Sequence, residues 1–252
     1  MTLSLSSLAK SFGGFQAVHD VSLTVPAGGL VGIIGPNGAG KSTLFSLVSG
    51  FLPPDAGTVL LAGEDITWLA PHERARRGMV RTFQVPREFS HLTVRENLMA
   101  AAPGQSGETL RGLFLRPAAV RAEEAAIAAR VAETIDFLRL GPVADRPAGR
   151  LSGGQKKLLE LGRALMTQPS LILLDEPFAG VNPVLVEALS DHIRTLNARG
   201  IGFLIIEHDL PALTRLVTTL HVMDRGRLLA SGASADVLAA PEVREAYLGG
   251  AP

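Results

Sequence analysis

The chain has 252 residues with 24 basic and 24 acidic side chains, no net charge, and no cysteine. That length supports one sizeable domain or a core carrying an inserted lobe. The charge balance argues against nucleic acid or anionic lipid as a long-range partner, and the missing thiols exclude disulfides, thiolate metal sites and cysteine nucleophiles.

From the N-terminus, residues 3–10 and 20–25 alternate or cluster apolar side chains and predict strands, followed by a turn at Pro26-Ala27-Gly28-Gly29. Val31 to Ile34 predicts a short strand, and Thr43 to Val48 a helix, with a glycine-rich loop between them. Further short strands are expected at 58–62 and 79–83. From 85 to 149 strand signals fade and Ala, Arg and Glu prevail. There Pro117 opens a helix, Ile127, Val131, Ile135 and Leu138 form one stripe, and Gly141-Pro142 ends it. Segment 103–116, broken by Pro103, Gly104 and Gly107, is expected to be a mobile loop. A helix from Gln155 to Met166 follows. The apolar runs 171–174 and 201–206 predict strands buried on both faces, hence a parallel sheet covered by helices. A hairpin around Asp224-Arg225-Gly226-Arg227 and a helix ending in Ala246-Tyr247-Leu248-Gly249-Gly250 complete the chain. Met1 to Leu5 lacks the character of a signal peptide, and no run of about eighteen apolar residues would cross a bilayer. Membrane association is therefore expected through protein partners.

The chemistry starts at Gly35 to Thr43, which fits G-x-x-x-x-G-K-[ST] between a strand and a helix. Its glycines let successive N–H groups converge on one concavity, and the helix N-terminus adds its free donors. Asn37, Gly38, Ala39, Gly40, Lys41, Ser42 and Thr43 are thus candidate nucleotide contacts. Lys41 would reach the β/γ-phosphates, and the Ser42 hydroxyl would ligate Mg²⁺. Asp175 follows four apolar residues at the end of a strand, where its carboxylate can hold the same ion. Ser152-Gly153-Gly154-Gln155 combines a hydroxyl, open backbone and a helix start, which makes a second anion site.

With Leu151-Ser152-Gly153-Gly154-Gln155 and Leu171 to Pro177 in this order, the whole chain resembles the ATP-binding subunit of an ABC transporter. The resemblance implies an α/β fold: a P-loop NTPase core with a mainly parallel sheet, an N-terminal antiparallel β portion and an inserted α-helical subdomain. Core segments 1–84 and 150–252 would flank a helical segment 85–149. It also implies roles. Glu176 would be the general base for hydrolysis, and His208 the switch histidine that contacts the γ-phosphate. Gln84 would touch Mg²⁺ and the attacking water, Phe12 would stack on adenine, and Val18 would line the same surface. Ser152 to Gln155 would complete the phosphate site of a second subunit in a head-to-tail dimer, with Ala179 to Pro183 along that interface. The family usually has Asp where Asn182 stands.

Arg81 to Gln84, Leu92 to Leu98, Asp175 to Pro183, Ile206 to Asp209 and Ala246 to Gly249 resemble the ATP-binding subunits of importers for branched-chain or hydrophobic amino acids. Urea and short-amide importers share the pattern. The lipopolysaccharide-export ATPase is similar too, but usually carries Asp at the positions of Asn182 and Glu207. The resemblance implies ATP and Mg²⁺ as ligands. It implies polytopic permease subunits and a second ATPase subunit, alike or different, as partners, and a periplasmic solute-binding protein as an indirect one. The place would be the cytoplasmic face of the bacterial inner membrane. A soluble ABC ATPase of translation or DNA repair is the competing class; a single set of motifs, no sustained heptads and the neutral charge argue against it. A non-hydrolytic regulator is opposed by the intact Lys41, Asp175, Glu176 and His208.

Overall fold

The computed structural model describes residues 1–84, 87–109 and 114–248. Residues 85–86 at the start of the expected helical segment, 110–113 of the expected loop, and Gly249-Gly250 of the expected closing helix lie outside the described residues. The chain divides into two compact units. The first comprises Met1–Gln84, Ser170–Ala179 and Pro183–Pro252, and the second Val85–Pro169 with Gly180–Asn182.

The first unit holds two sheets. Strands β1 (Leu3–Phe12) and β2 (Phe15–Val25) form a hairpin through Gly13 and Gly14, and β4 (Ala56–Leu61) and β5 (Glu64–Asp65) extend it in the order β2-β1-β4-β5, all antiparallel. Leu3, Leu5 and Leu8 are the buried residues of β1. The step of three after Leu5 breaks strict alternation, and there the pairing register shifts and Ser7 takes a left-handed φ of 48°. The second sheet runs β10-β9-β3-β8-β7-β6. It is parallel from β9 (Thr219–Asp224) through β3 (Leu30–Ile34), β8 (Gly202–Ile206) and β7 (Leu171–Asp175) to β6 (Met79–Arg81). Its antiparallel edge, β10 (Arg227–Ala233), arises from the expected hairpin. Every residue of β3, β7 and β8 is buried, as unbroken apolar runs require in a sheet covered on both faces.

Helix α1 (Lys41–Val48) joins the two sheets in one core: Leu44, Phe45, Leu47 and Val48 pack with Val18 and Val21 of β2 and with Leu173, Leu204 and Ile206 of the parallel strands. Its last turn is closed by a buried cation from helix α2 (Pro71–Arg76). The Arg74 guanidinium donates to the carbonyls of Leu47 and Val48 at 2.9 and 2.5 Å, and to those of Thr67 and Leu69. It thus satisfies carbonyls the helix leaves open and complements its negative end. Burial pulls the Arg74 pKa down to about 10.

The second unit is helical: α3 (Val94–Ala101), α4 (Pro117–Phe137) and α5 (Gly153–Met166) with short 3₁₀ turns. The expected stripe is its seam, since Ile127, Val131, Ile135 and Leu138 are all buried. Gly162 of α5 lets the three helices meet, because a Cβ there would lie 2.9 Å from Leu138 of the α4 end and 2.9 Å from Leu98 of α3. Through this packing the unit runs on past 149 to Pro169. Asn97 of α3 is fully buried. Its amide donates to the carbonyls of Phe89, Leu92 and Thr93 and accepts from the Phe89 N–H at 2.9 Å, holding the loop before the helix.

Three helices of the first unit complete its cover: α6 (Pro183–Ala198), α7 (Leu210–Thr214) and α8 (Ser234–Ala239); α9 (Pro241–Leu248) follows. Among the described residues no helix is long and apolar enough to cross a membrane.

Candidate nucleotide site

The loop between β3 and α1 is shaped by glycine. Gly38 and Gly40 take φ of 82° and 97°, and a Cβ on Gly40 would sit 2.3 Å from the Ala17 carbonyl oxygen. The Gly226 N–H donates to the Ala39 carbonyl at 3.0 Å, while the Gly226 carbonyl accepts from His19 at 2.7 Å. The β9–β10 turn thereby fastens the loop to β2. The first N–H groups of α1 have no acceptor within the helix and carry its positive end. Beside them opens a cleft of about 290 Å³, lined by Phe15, Ala17, Asn37 to Thr43, Glu176 and His208. Lys41 donates to the carbonyls of Gly35 and Pro36 at 2.7 and 3.0 Å. Burial lowers its pKa, and the nearby charges of Glu176 and Asp175 oppose that shift.

Asp175 ends β7, as its position after an apolar run suggested. Its Oδ2 pairs with Arg81 at 2.7 Å. The Arg81 guanidinium lies 5.6, 5.8 and 5.7 Å from the ring centroids of Phe45, Phe51 and Phe83 and donates to Ser49 Oγ at 3.0 Å. Glu176 has a left-handed φ of 48°, unusual for a residue with a Cβ. Its N–H is held by the Ile206 carbonyl at 2.9 Å. One carboxylate oxygen accepts from Gln84 Nε2 at 2.6 Å and the other meets His208 Nε2 at 2.7 Å. Two residues far apart in sequence, Gln84 and His208, thus converge on the Glu176 carboxylate at the cleft. Glu207 next door is buried, which raises its pKa.

The candidates fall into groups. Asn37 to Thr43, Glu176 and His208 line the cleft, and Gln84 reaches it through Glu176. Val18 does not line it: its side chain is fully buried in the core, and the neighbouring Ala17 borders the cleft instead. On the hairpin, Phe15 borders the cleft rather than Phe12, which stands opposite it and has the Lys10 ammonium 5.9 Å from its ring. Ser152 to Gln155 belong to the second unit, where Ser152 caps α5. The Ser152 hydroxyl accepts from the Gln155 N–H at 3.3 Å, and the Gln155 side chain accepts from the Ser152 N–H at 3.0 Å.

Sequence reasoning passed over Arg81, Phe15 and Glu207 as site residues. A charged residue in or just past an expected strand was the available signal for Arg81 and Glu207. Phe15 carried none, since either aromatic of the hairpin suits a base. The oxygen donors of Ser42 and Asp175 suit a hard divalent cation, and the pull of both carboxylates on Lys41 shows negative charge collected beside the loop.

A sequence profile for the family described as "ABC transporter" matches residues 18–179. A probable branched-chain amino acid transport ATP-binding protein of Methanocaldococcus jannaschii is 42% identical over 251 residues, which cover 98% of this chain and 97% of that one. The lipopolysaccharide export system ATP-binding protein of Escherichia coli is 37% identical, over 98% of this chain and 97% of its own. Among solved structures, an ATP-binding cassette of an ABC transporter in its ADP conformation matches with a TM-score of 0.82 at 40% identity, covering 99% of each chain.

Proposed function

Because the chain belongs to the ABC transporter family of nucleotide-binding subunits and is an ATPase, we propose that it drives a bacterial importer of branched-chain or hydrophobic amino acids. The observation that carries the catalytic reading is Glu176, gripped by Gln84 and His208 at the mouth of the phosphate-loop cleft. ATP would lay its β- and γ-phosphates against the loop N–H groups, with Lys41 turning from its two carbonyls to the phosphate oxygens. Magnesium, held by Ser42 and Asp175 beside phosphate oxygens, with Gln84 close by, would neutralise phosphate charge when bound. Glu176 takes a proton from water as the water oxygen bonds to the γ-phosphorus and the bond to ADP breaks. His208 stays by the carboxylate and stabilises charge at the γ-phosphate. Phe12 or Phe15 would carry the adenine.

Two subunits would share two such sites, Ser152 to Gln155 of each closing on the γ-phosphate held by the other, and closure would move the attached permease. A periplasmic binding protein would deliver the solute. The subunit would sit at the cytoplasmic face of the inner membrane through the permease. The greater identity to the amino acid transport relative supports import, as do Asn182 and Glu207. Urea or short amides would suit the same subunit. Lipopolysaccharide export is the second reading, on the 37% identity quoted above.

Glu176→Gln keeps the shape and removes the base. Hydrolysis should fall by about 10²–10⁴-fold, with ATP still bound and a nucleotide-loaded dimer visible by size-exclusion chromatography. Turnover at the wild-type rate would refute the assignment. Co-purification from membranes with a permease and a binding protein that takes up leucine or valine checks the solute.

A further inference from the structure

Glu207 follows Ile206, the last residue of β8, and is 2% exposed. A buried carboxylate needs partners for both oxygens. Here they are backbone N–H groups from two different loops. One oxygen accepts from Phe178, two residues past Glu176, at 2.6 Å. The other accepts from His208 at 2.9 Å and from Asp209 at 3.3 Å. The loop after β7 carries the base and the loop after β8 carries the histidine, and the two side chains meet at 2.7 Å.

The demand on this residue is specific. Each oxygen faces an N–H, so both must be acceptors. A glutamine offers one acceptor and turns an NH₂ group toward a donor. An aspartate has both acceptors but is shorter by one methylene. The strained backbone at Glu176 also has to be imposed by its surroundings, and a tie two residues on contributes to that.

We propose that Glu207 is a positioning residue for ATP hydrolysis, whose two oxygens bind the chain after Glu176 to the chain at His208 and set the meeting of base and histidine. This rests on the roles given above to Glu176 and His208. Glu207 does not line the cleft; it acts through the two loops.

The test uses the full chain with Glu207→Gln and Glu207→Asp beside Glu176→Gln. Three quantities are measured: kcat for ATP, ATP affinity with Mg²⁺ by calorimetry, and the ring ¹⁵N resonances of His208, assigned by their loss in His208→Ala. A misplacement of reacting groups by about 1 Å costs on the order of 10²-fold. Glu207→Gln should therefore lower kcat by about 10- to 10²-fold with ATP affinity within about twofold of wild type. The His208 resonances should shift as contact with Glu176 loosens. Glu207→Asp should show a smaller loss of kcat, again at unchanged affinity, and it carries the test if the glutamine variant does not fold. Wild-type kcat in these variants overturns the proposal. So does a loss of kcat with unmoved His208 resonances, or one matched by a parallel loss of affinity. If Glu176→Gln itself keeps full turnover, the base assignment fails. If it loses turnover while the Glu207 variants do not, only the positioning role fails.

Discussion

Lys41 is a buried cation whose surroundings pull in two directions. Burial disfavours its charge, and Glu176 and Asp175 favour it. Two loop carbonyls satisfy it, and in the proposed mechanism it would exchange them for phosphate when nucleotide binds. A hydrogen bond to a charged partner is worth about 1.5–3 kcal/mol, so Lys41→Ala should weaken ATP binding roughly 10- to 10²-fold. Calorimetric titration with Mg²⁺ present checks this; unchanged affinity would remove the loop from the phosphate site. Arg81 shows a different economy of charge. Its ion pair with Asp175 is nearly closed to water, and three phenylalanine rings surround the guanidinium. A carboxylate expected to face a metal ion thus has a protein cation already at its side.

At the scale of elements, Asn97 replaces a missing stretch of regular structure. One side chain makes four hydrogen bonds to the backbone of Phe89, Leu92 and Thr93. Asn97→Ala removes all four and takes its acceptor from the Phe89 N–H, at about 1–3 kcal/mol for one group left unsatisfied, while the carbonyls of Phe89, Leu92 and Thr93 still accept from the backbone N–H groups of Leu92, Ala148 and Asn97. A loss of about 1–3 kcal/mol in the stability of the helical unit is expected, read as protease sensitivity of that unit and a lower midpoint in urea. The stripe Ile127, Val131, Ile135 and Leu138 was legible because helical spacing repeats over three turns. The unbroken runs of β7 and β8 were legible for the same kind of reason. Helix α6 was not foreseen: its buried stripe is reduced to Leu189, Ile193 and Leu196, with polar residues between. Helix α2 is only six residues long, and its reason for being is Arg74, whose carbonyl partners in α1 lie 26 and 27 positions back. The phosphate-loop residues were legible because their order along the chain is their order in space. Arg81 with Asp175, 94 positions apart, and Glu207 with Phe178, 29 apart, were not, since only folding brings them together.

For the molecule as a whole, His221 of β9 is one acid-sensitive point. It is buried, Nδ1 meets Ser231 Oγ at 2.7 Å, and Nε2 is buried with no hydrogen-bond partner among the described residues. Burial holds its pKa below the ordinary histidine value. The unfolded chain therefore binds the proton first. The contribution to stability is present above the unfolded pKa of about 6.5 and is lost as pH falls below it toward the folded value. Urea unfolding at pH values on either side of that window should show stability declining on acidification, with a shallower slope for His221→Leu; equal slopes would dismiss the histidine.

The left-handed backbone of Glu176 has a consequence for how such a chain changes over generations. A side chain in that conformation costs roughly 1–2 kcal/mol, and glycine adopts it freely. Selection for heat resistance alone would thus be expected to erode the position toward glycine, yielding a sturdier protein that holds ATP and leaves it whole. On the proposed role of Glu176 as base, the carboxylate would persist only while turnover is what is inherited.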